Sequence, residues 1–282
     1  MTDTCRTEGV TMGVVTVDRE LEAKHRALWA LGNYGAIAAH IVAPLGPVLV
    51  EACGIGPGDR VLDIAAGTGN ASIPAALAGA QVTASDLCPQ LVDEGAHESA
   101  ERGVDITWKE ANAEALPFSD GEFDVVMSCI GVMFAPHHDQ SARELLRVTR
   151  SGGRIGLISW TPEGFIGQLF ATMKPFVPAP PPGVSPPPLW GNADHVRTLL
   201  GDGIEDFETQ RRSLTVDMFA DGAAFRDFFK ANYGPTIAAY RAVGDDAERT
   251  AALDEAIALL GDRYLDSGAM QWEYLVVTAH KR

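Results

Sequence analysis

Asp63, Gly67 and Gly69 stand in the stretch Val61-Leu62-Asp63-Ile64-Ala65-Ala66-Gly67-Thr68-Gly69-Asn70. The glycines let backbone N–H groups come close to a ligand at the start of a helix. The acid ahead of them would repel a pyrophosphate and favour an ammonium. A dinucleotide fingerprint would carry a third glycine where Ser72 stands. S-adenosylmethionine (SAM) has an ammonium and no phosphate, and so suits this turn better than NAD. Asp86 follows about 20 residues after the turn, where an acid ending the second strand can bind both ribose hydroxyls. Leu87 beside it can pack on the adenine face. Asn112 offers an acceptor oxygen to the adenine amine, and the Ala113 N–H can reach a ring nitrogen.

Methyl transfer from a sulfonium asks mainly for alignment and exclusion of water. A base is needed only when the acceptor must lose a proton. The loop Cys129-Ile130-Gly131-Val132-Met133-Phe134-Ala135-Pro136-His137-His138 should face the methyl, with Cys129 and Ile130 giving backbone contacts. His137 and His138 are the candidate bases, since imidazole titrates near neutrality. The competing reading has them capping the next helix or facing water. Trp29, Phe134, Trp190 and Tyr233 are expected to line an acceptor pocket, with Tyr34 near the carboxylate end of SAM. Phe228 and Phe229 adjoin on a helix, so only one should face inward.

These residues need elements to hold them. Asp18 can cap a helix in which Leu21, His25, Leu28 and Trp29 recur at helical spacing. A second helical stretch runs from Tyr34 to Ala52, with Pro44 and Pro47 as kinks or breaks. Strands are predicted at 61–64, 82–85, 106–110, 123–129 and 154–160, the last entered through a turn at Ser151-Gly152-Gly153. Helices are predicted at 71–78, 89–102 and 138–148. This alternation implies a parallel sheet covered on both faces. Beyond Trp160 come a proline-rich segment, read as an ordered insertion, a strand at 204–216, three helical stretches and a last strand at 272–278. The expected division is 1–52, an N-terminal helical cap; 53–160, a SAM-binding core; 161–203, a proline-rich lid; and 204–282, the rest of the same fold with further helical lid elements. Residues 1–17 show no periodicity and are expected to fray.

A net charge of −16 argues against nucleic acid and anionic membrane surfaces as partners. Cys5, Cys53, Cys88 and Cys129 are dispersed, as reduced cytosolic thiols are. No metal-ligand cluster, signal peptide or membrane-spanning run is visible, so a cytoplasmic protein is expected. The Asp/Asn-Pro-Pro-aromatic loop of nucleic-acid amino-methyltransferases is absent after the fourth strand, where Ser128-Cys129-Ile130-Gly131 stands.

With Asp86-Leu87, Ala113-Glu114-Ala115-Leu116-Pro117-Phe118, Phe123-Asp124-Val125-Val126 and Arg150-Ser151-Gly152-Gly153-Arg154 added to the glycine turn, the chain resembles class I SAM-dependent methyltransferases of the UbiE-like, or type 11, kind. The resemblance covers residues 57–160. It implies a seven-stranded Rossmann-like sheet of order 3-2-1-4-5-7-6 with strand 7 antiparallel. It implies that Asp63, Gly67 and Gly69 hold the methionine part, Asp86 the ribose, and Asn112 with Ala113 the adenine; Ala65, Leu87 and Cys129 are further candidates for cofactor contact. Many relatives have Asp where Asn112 stands, which keeps an acceptor and loses a charge. Ser151 replaces a common proline. The expected activity is methyl transfer from SAM to a small apolar or aromatic acceptor by in-line displacement, leaving S-adenosylhomocysteine (SAH), in a monomer or homodimer. The alternatives are a non-catalytic SAM- or nucleotide-binding module and a dinucleotide oxidoreductase, which the acid before the turn opposes.

Overall fold

The computed structural model describes residues 18–282. The expectation for residues 1–17, and Cys5, lie outside the described residues. Asp18 caps the first helix as expected, its carboxylate accepting the amides of Glu20 and Leu21. Helix α1 spans Arg19–Trp29 and α2 Tyr34–Ile37. A π-helical turn, Ala38–Val42, follows, and α3 (Leu45–Ala52) starts after Pro44. The expected kink at Pro47 does not occur. Pro47 lies in the first turn of α3, where a missing N–H costs nothing.

Strand β1 (Arg60–Ile64), α4 (Ser72–Leu77), β2 (Gln81–Asp86), α5 (Pro89–Glu101), β3 (Ile106–Glu110) and β4 (Phe123–Cys129) then alternate. Helix α6 (His138–Val148) leads into β5 (Thr149–Trp160). Strand β5 starts earlier than predicted, because Ser151-Gly152-Gly153 is an irregularity within it: β4 pairs Phe123 with Thr149 and then Val125 with Arg154. Helices α7 (Phe165–Met173) and α8 (Ala193–Leu200) bracket the prolines. Strand β6 (Ile204–Val216), helices α9 (Gly222–Asn232), α10 (Gly234–Val243) and α11 (Ala247–Tyr264), and strands β7 (Leu265–Asp266) and β8 (Ala269–Lys281) complete the chain.

The sheet order is β3-β2-β1-β4-β5-β8-β6. Strands β1 to β5 pair in parallel, and β8 runs antiparallel to both β5 and β6. This is the expected order, with one strand more than expected. The extra β7 pairs only with the start of β8, through Ser267 and Gly268. Both have positive φ, 52° and 84°, as a tight type I′ hairpin demands. The inner strands are buried on both faces: Val61, Leu62, Val125, Val126, Met127 and Ile155 have essentially no exposure. No helix among the described residues is long and apolar enough to cross a membrane.

The proline-rich segment is ordered and packs against Pro136 and His137, ahead of α6. Its turn Pro187–Gly191 buries Trp190 completely, and the Ser185 N–H donates to the Pro136 carbonyl. No residue between 161 and 203 lines the cleft described next; helix α1 roofs it instead.

Candidate active site

A cleft opens at the C-terminal ends of β1, β2, β3 and β4, the edge where open parallel sheets bind ligands. It encloses about 760 Å³ counting its open mouth, within the size range of small-molecule sites. Its floor is strained. Ala65, just past β1, has φ 53°, and Ile130, just past β4, has φ 56°. A left-handed β-branched residue is an outlier, held only where its surroundings over-determine it. Here they do. The Ile130 N–H donates to the Ile158 carbonyl at 2.8 Å, and Ser128 Oγ donates to the Ile64 carbonyl and accepts from the Val132 N–H. Gly131 packs so closely that a Cβ there would run into the Ala65 carbonyl. Gly67, at φ 57°, leaves just enough room for the Tyr34 ring, 3.0 Å from where its Cβ would be.

Two buried carboxylates flank the glycine turn. Asp86 accepts the Gly67 N–H at 2.8 Å and the Cys88 N–H at 2.9 Å, and reaches the cleft. Burial pushes its pKa up, and those amides pull against the shift. Asp63 is 1% exposed; Oδ2 accepts the Ser72 hydroxyl at 2.6 Å, and Oδ1 has no partner among the described residues. Burial raises its pKa to about 7, against the Ser72 bond, with the Asp86 charge adding to the rise. Ser72, where a third glycine would mark a dinucleotide site, is thus the partner of the acid.

The roof is one face of α1: Asp18, Leu21, Glu22, His25 and Trp29, spaced three, four and seven residues apart. Asn112 Nδ2 donates to Glu22 at 2.9 Å, while its Oδ1 accepts the Glu114 N–H. Arg26 forms an ion pair with Glu110 at the end of β3. Trp29 closes the other end against Tyr34 and Phe134, with ring centroids 5.7 and 4.6 Å away. His137 lines the cleft with Nδ1 3.1 Å from the buried Glu114 carboxylate, which also accepts the His137 N–H. Burial, then the neighbouring His137, lowers the pKa of His25.

Of the residues singled out from sequence, Trp29, Tyr34, Ala65, Gly67 and Asp86 line the cleft, as do Leu87, Asn112, Ala113, Phe134 and His137. Asp63, Gly69 and Cys129 lie behind the floor. A Cβ on Gly69 would meet the Trp108 ring, and the Cys129 thiol accepts from Asn70 Nδ2. Tyr233 lines a smaller neighbouring cavity. His138 and Trp190 are core residues instead. His138 is 2% exposed, with its ring 5.5 Å from Trp190 and its Nδ1 3.0 Å from His195 Nε2. The apolar face of α6 carries His138 inward, away from the cleft, while His137 precedes the helix and stays out. Of Phe228 and Phe229, only Phe229 is fully buried. Glu22, His25 and Glu114 were not singled out as site residues, although the helical spacing of His25 with Trp29 was. No group of metal-ligating residues occurs among the described residues.

A family model described as "Methyltransferase domain" matches residues 61–153. An uncharacterised protein of Mycobacterium tuberculosis is 53% identical over 273 residues, covering 96% of this chain and 100% of its own. The ubiquinone/menaquinone biosynthesis C-methyltransferase of Ectopseudomonas mendocina is 34% identical over 120 residues, covering 41% of this chain and 47% of that one. A geranyl diphosphate methyltransferase solved in complex with SAM shares the fold with a TM-score of 0.52 at 17% identity, covering 85% of each chain. The sheet order and these matches agree: residues 61–153 form a methyltransferase domain, and the chain has the class I methyltransferase fold.

Proposed function

We propose that the protein binds SAM in the cleft and moves its methyl group to a small apolar or aromatic acceptor. The observation that carries this reading is the charge of the cleft. Asp18, Glu22, Asp86 and Glu114 line it, and among the described residues neither lysine nor arginine does. A diphosphate would meet acids and no counter-charge, whereas an ammonium-bearing nucleoside fits. Asp63, buried behind the floor with Oδ1 unpartnered among the described residues, adds a negative charge that a cation in the cleft would favour.

When bound, the sulfonium supplies an activated methyl, whose bond to sulfur breaks with its electron pair staying on sulfur as an acceptor lone pair bonds to carbon. The chain's own residues orient and enclose. Asp86, pre-oriented by the Gly67 and Cys88 amides, accepts the ribose hydroxyls. Leu87 covers one adenine face, and Asn112 and Ala113 meet its edge. Helix α1 keeps water out. His137, with Nδ1–H held by Glu114, keeps Nε2 for a proton shed by the acceptor.

Titration calorimetry with SAM tests the reading. Saturable one-to-one binding is expected, weakened more than about tenfold in Asp86→Ala by the loss of charge-assisted hydrogen bonds. No saturation at millimolar SAM by folded protein would remove the proposal, and tight binding without transfer to any acceptor would favour a non-catalytic module.

A further inference from the structure

Asn112 has both ends of its amide engaged. Its Oδ1 accepts the Glu114 N–H at 2.9 Å, and its Nδ2 donates to Glu22 Oε2, also at 2.9 Å. A backbone N–H can only donate and a carboxylate oxygen can only accept, so the amide is fixed in one orientation from both sides. The acceptor that the residue type promised to a ligand is thus turned to the protein's own backbone.

The acceptor left over belongs to Glu22, which lines the cleft beside Asn112. A carboxylate offers about four acceptor positions. Asn112 takes one of them on Oε2. Arg26 stands 3.6 Å from Oε1, too far for a hydrogen bond but close enough to favour the charge. Arg26 is tied in turn to Glu110, at the end of β3. Two neighbours therefore hold the Glu22 carboxylate at the mouth of β3 with acceptor capacity to spare.

The course of α1 gives the cleft a direction. Glu22 marks its Asn112 end, and Trp29, seven residues or about 10 Å further along the helix, meets Tyr34 and Phe134. Asp86 ends β2 in register with Glu110 of β3. A nucleoside with its ribose on Asp86 and its base against Leu87 has that base on the β3 side, where Glu22 is held. A carboxylate there suits an N–H donor and repels a carbonyl oxygen. Of the purines, adenine carries an amine at that edge.

Resting on the SAM reading, we infer that Glu22 is the residue that selects adenine: its carboxylate accepts the 6-amino group of the base, and Asn112 is a positioning residue that holds the carboxylate in place. Because Glu22 rides on α1, the same bond fastens the roof over the cofactor.

The test uses the full chain, SAH, and the SAH analogue in which hydrogen replaces the 6-amino group. The analogue keeps the ring nitrogens, the ribose and the amino-acid end. Calorimetry should show the unaltered protein binding SAH at least about tenfold tighter than the analogue, as a hydrogen bond to a charged group implies. Glu22→Gln keeps an oxygen for the Asn112 amide and loses the charge. In it the preference should shrink below about threefold through weaker SAH binding, with the analogue held within about twofold of its affinity for the unaltered protein. Equal binding of the two ligands by the unaltered protein, the full preference persisting in Glu22→Gln, or both ligands weakened alike, as a role in docking α1 alone would cause, would each overturn the inference and leave the SAM reading standing. Failure of the unaltered protein to bind SAH would remove both.

Discussion

Ala65 and Ile130 face each other across the floor of the cleft in the left-handed conformation, and Gly131 fits between them because it has no side chain. The left-handed conformation costs an L-residue roughly 1–2 kcal/mol, partly offset by the extra unfolded-state freedom of glycine. Ala65→Gly should therefore stabilise the protein by about 0.5–1 kcal/mol, and Gly131→Ala should destabilise it by about 1–3 kcal/mol through a backbone clash. Urea denaturation of both variants checks the pair, and equal midpoints would contradict the strain. Asp63 carries a second prediction. Its folded pKa, about 7, lies above the ordinary value of 3.8, so the ligand-free folded state binds more protons than the unfolded state between those limits. The stability of the ligand-free protein then falls as pH rises through this window. A bound ammonium restores the charged carboxylate, so SAH binding at pH 6 should release up to about one proton and tighten as pH rises towards 7. Calorimetry in two buffers of different ionisation enthalpy measures that proton; none released, or the same release from Asp63→Asn, would contradict it.

Helices α6 and α8 dock through His138 and His195, whose ring nitrogens lie 3.0 Å apart. Burial, then the His195 neighbour, lowers the His138 pKa to about 4, and burial lowers that of His195. A depressed histidine binds fewer protons folded than unfolded. Its contribution is therefore complete above the unfolded value of about 6.5 and is lost as pH falls below it. Each such group can remove up to about 1.4 kcal/mol per pH unit between 6.5 and its folded value. Thermal unfolding from pH 7 to 4.5 should steepen accordingly, and His138→Gln should flatten the dependence; an identical slope in the variant would contradict the account. Helix α1 has no fully buried residue and is held by the Glu22–Asn112 bond, the Arg26–Glu110 pair and Trp29. Trp29→Ala should raise hydrogen exchange of the α1 amides at least about tenfold, a docking loss of roughly 1.4 kcal/mol, and leave β1 and β4 unchanged. Uniform exchange across the sheet would instead make Trp29 a core residue.

Over the whole molecule, what could be read from the residues follows the distance over which they act. The glycine turn, Asp63, Asp86, Asn112 and the strands carrying them lie within one run of alternating elements, so local pattern was enough to place them. His25 was legible only as part of a helical face and Glu22 not at all, because nothing local shows that α1 crosses the ends of β1 to β4. Trp190, read as a pocket residue, fills the core beside β5 and α6, because its proline-rich segment has no periodicity to show which way an aromatic ring turns. The wall of the smaller cavity joins Ile37 and Ile41 to Ile166, Phe229 and Trp272, more than two hundred residues apart in the extreme, and no spacing rule reaches that far. All of it turns on which small molecule the acidic cleft holds. A crystal structure of the full chain with SAH answers that directly. The account predicts ribose hydroxyls on Asp86, adenine against Leu87 and Asn112, the amino-acid end over Gly67, and sulfur beside Tyr34 and Phe134. SAH bound elsewhere, or in the cleft with the ribose away from Asp86, would contradict it.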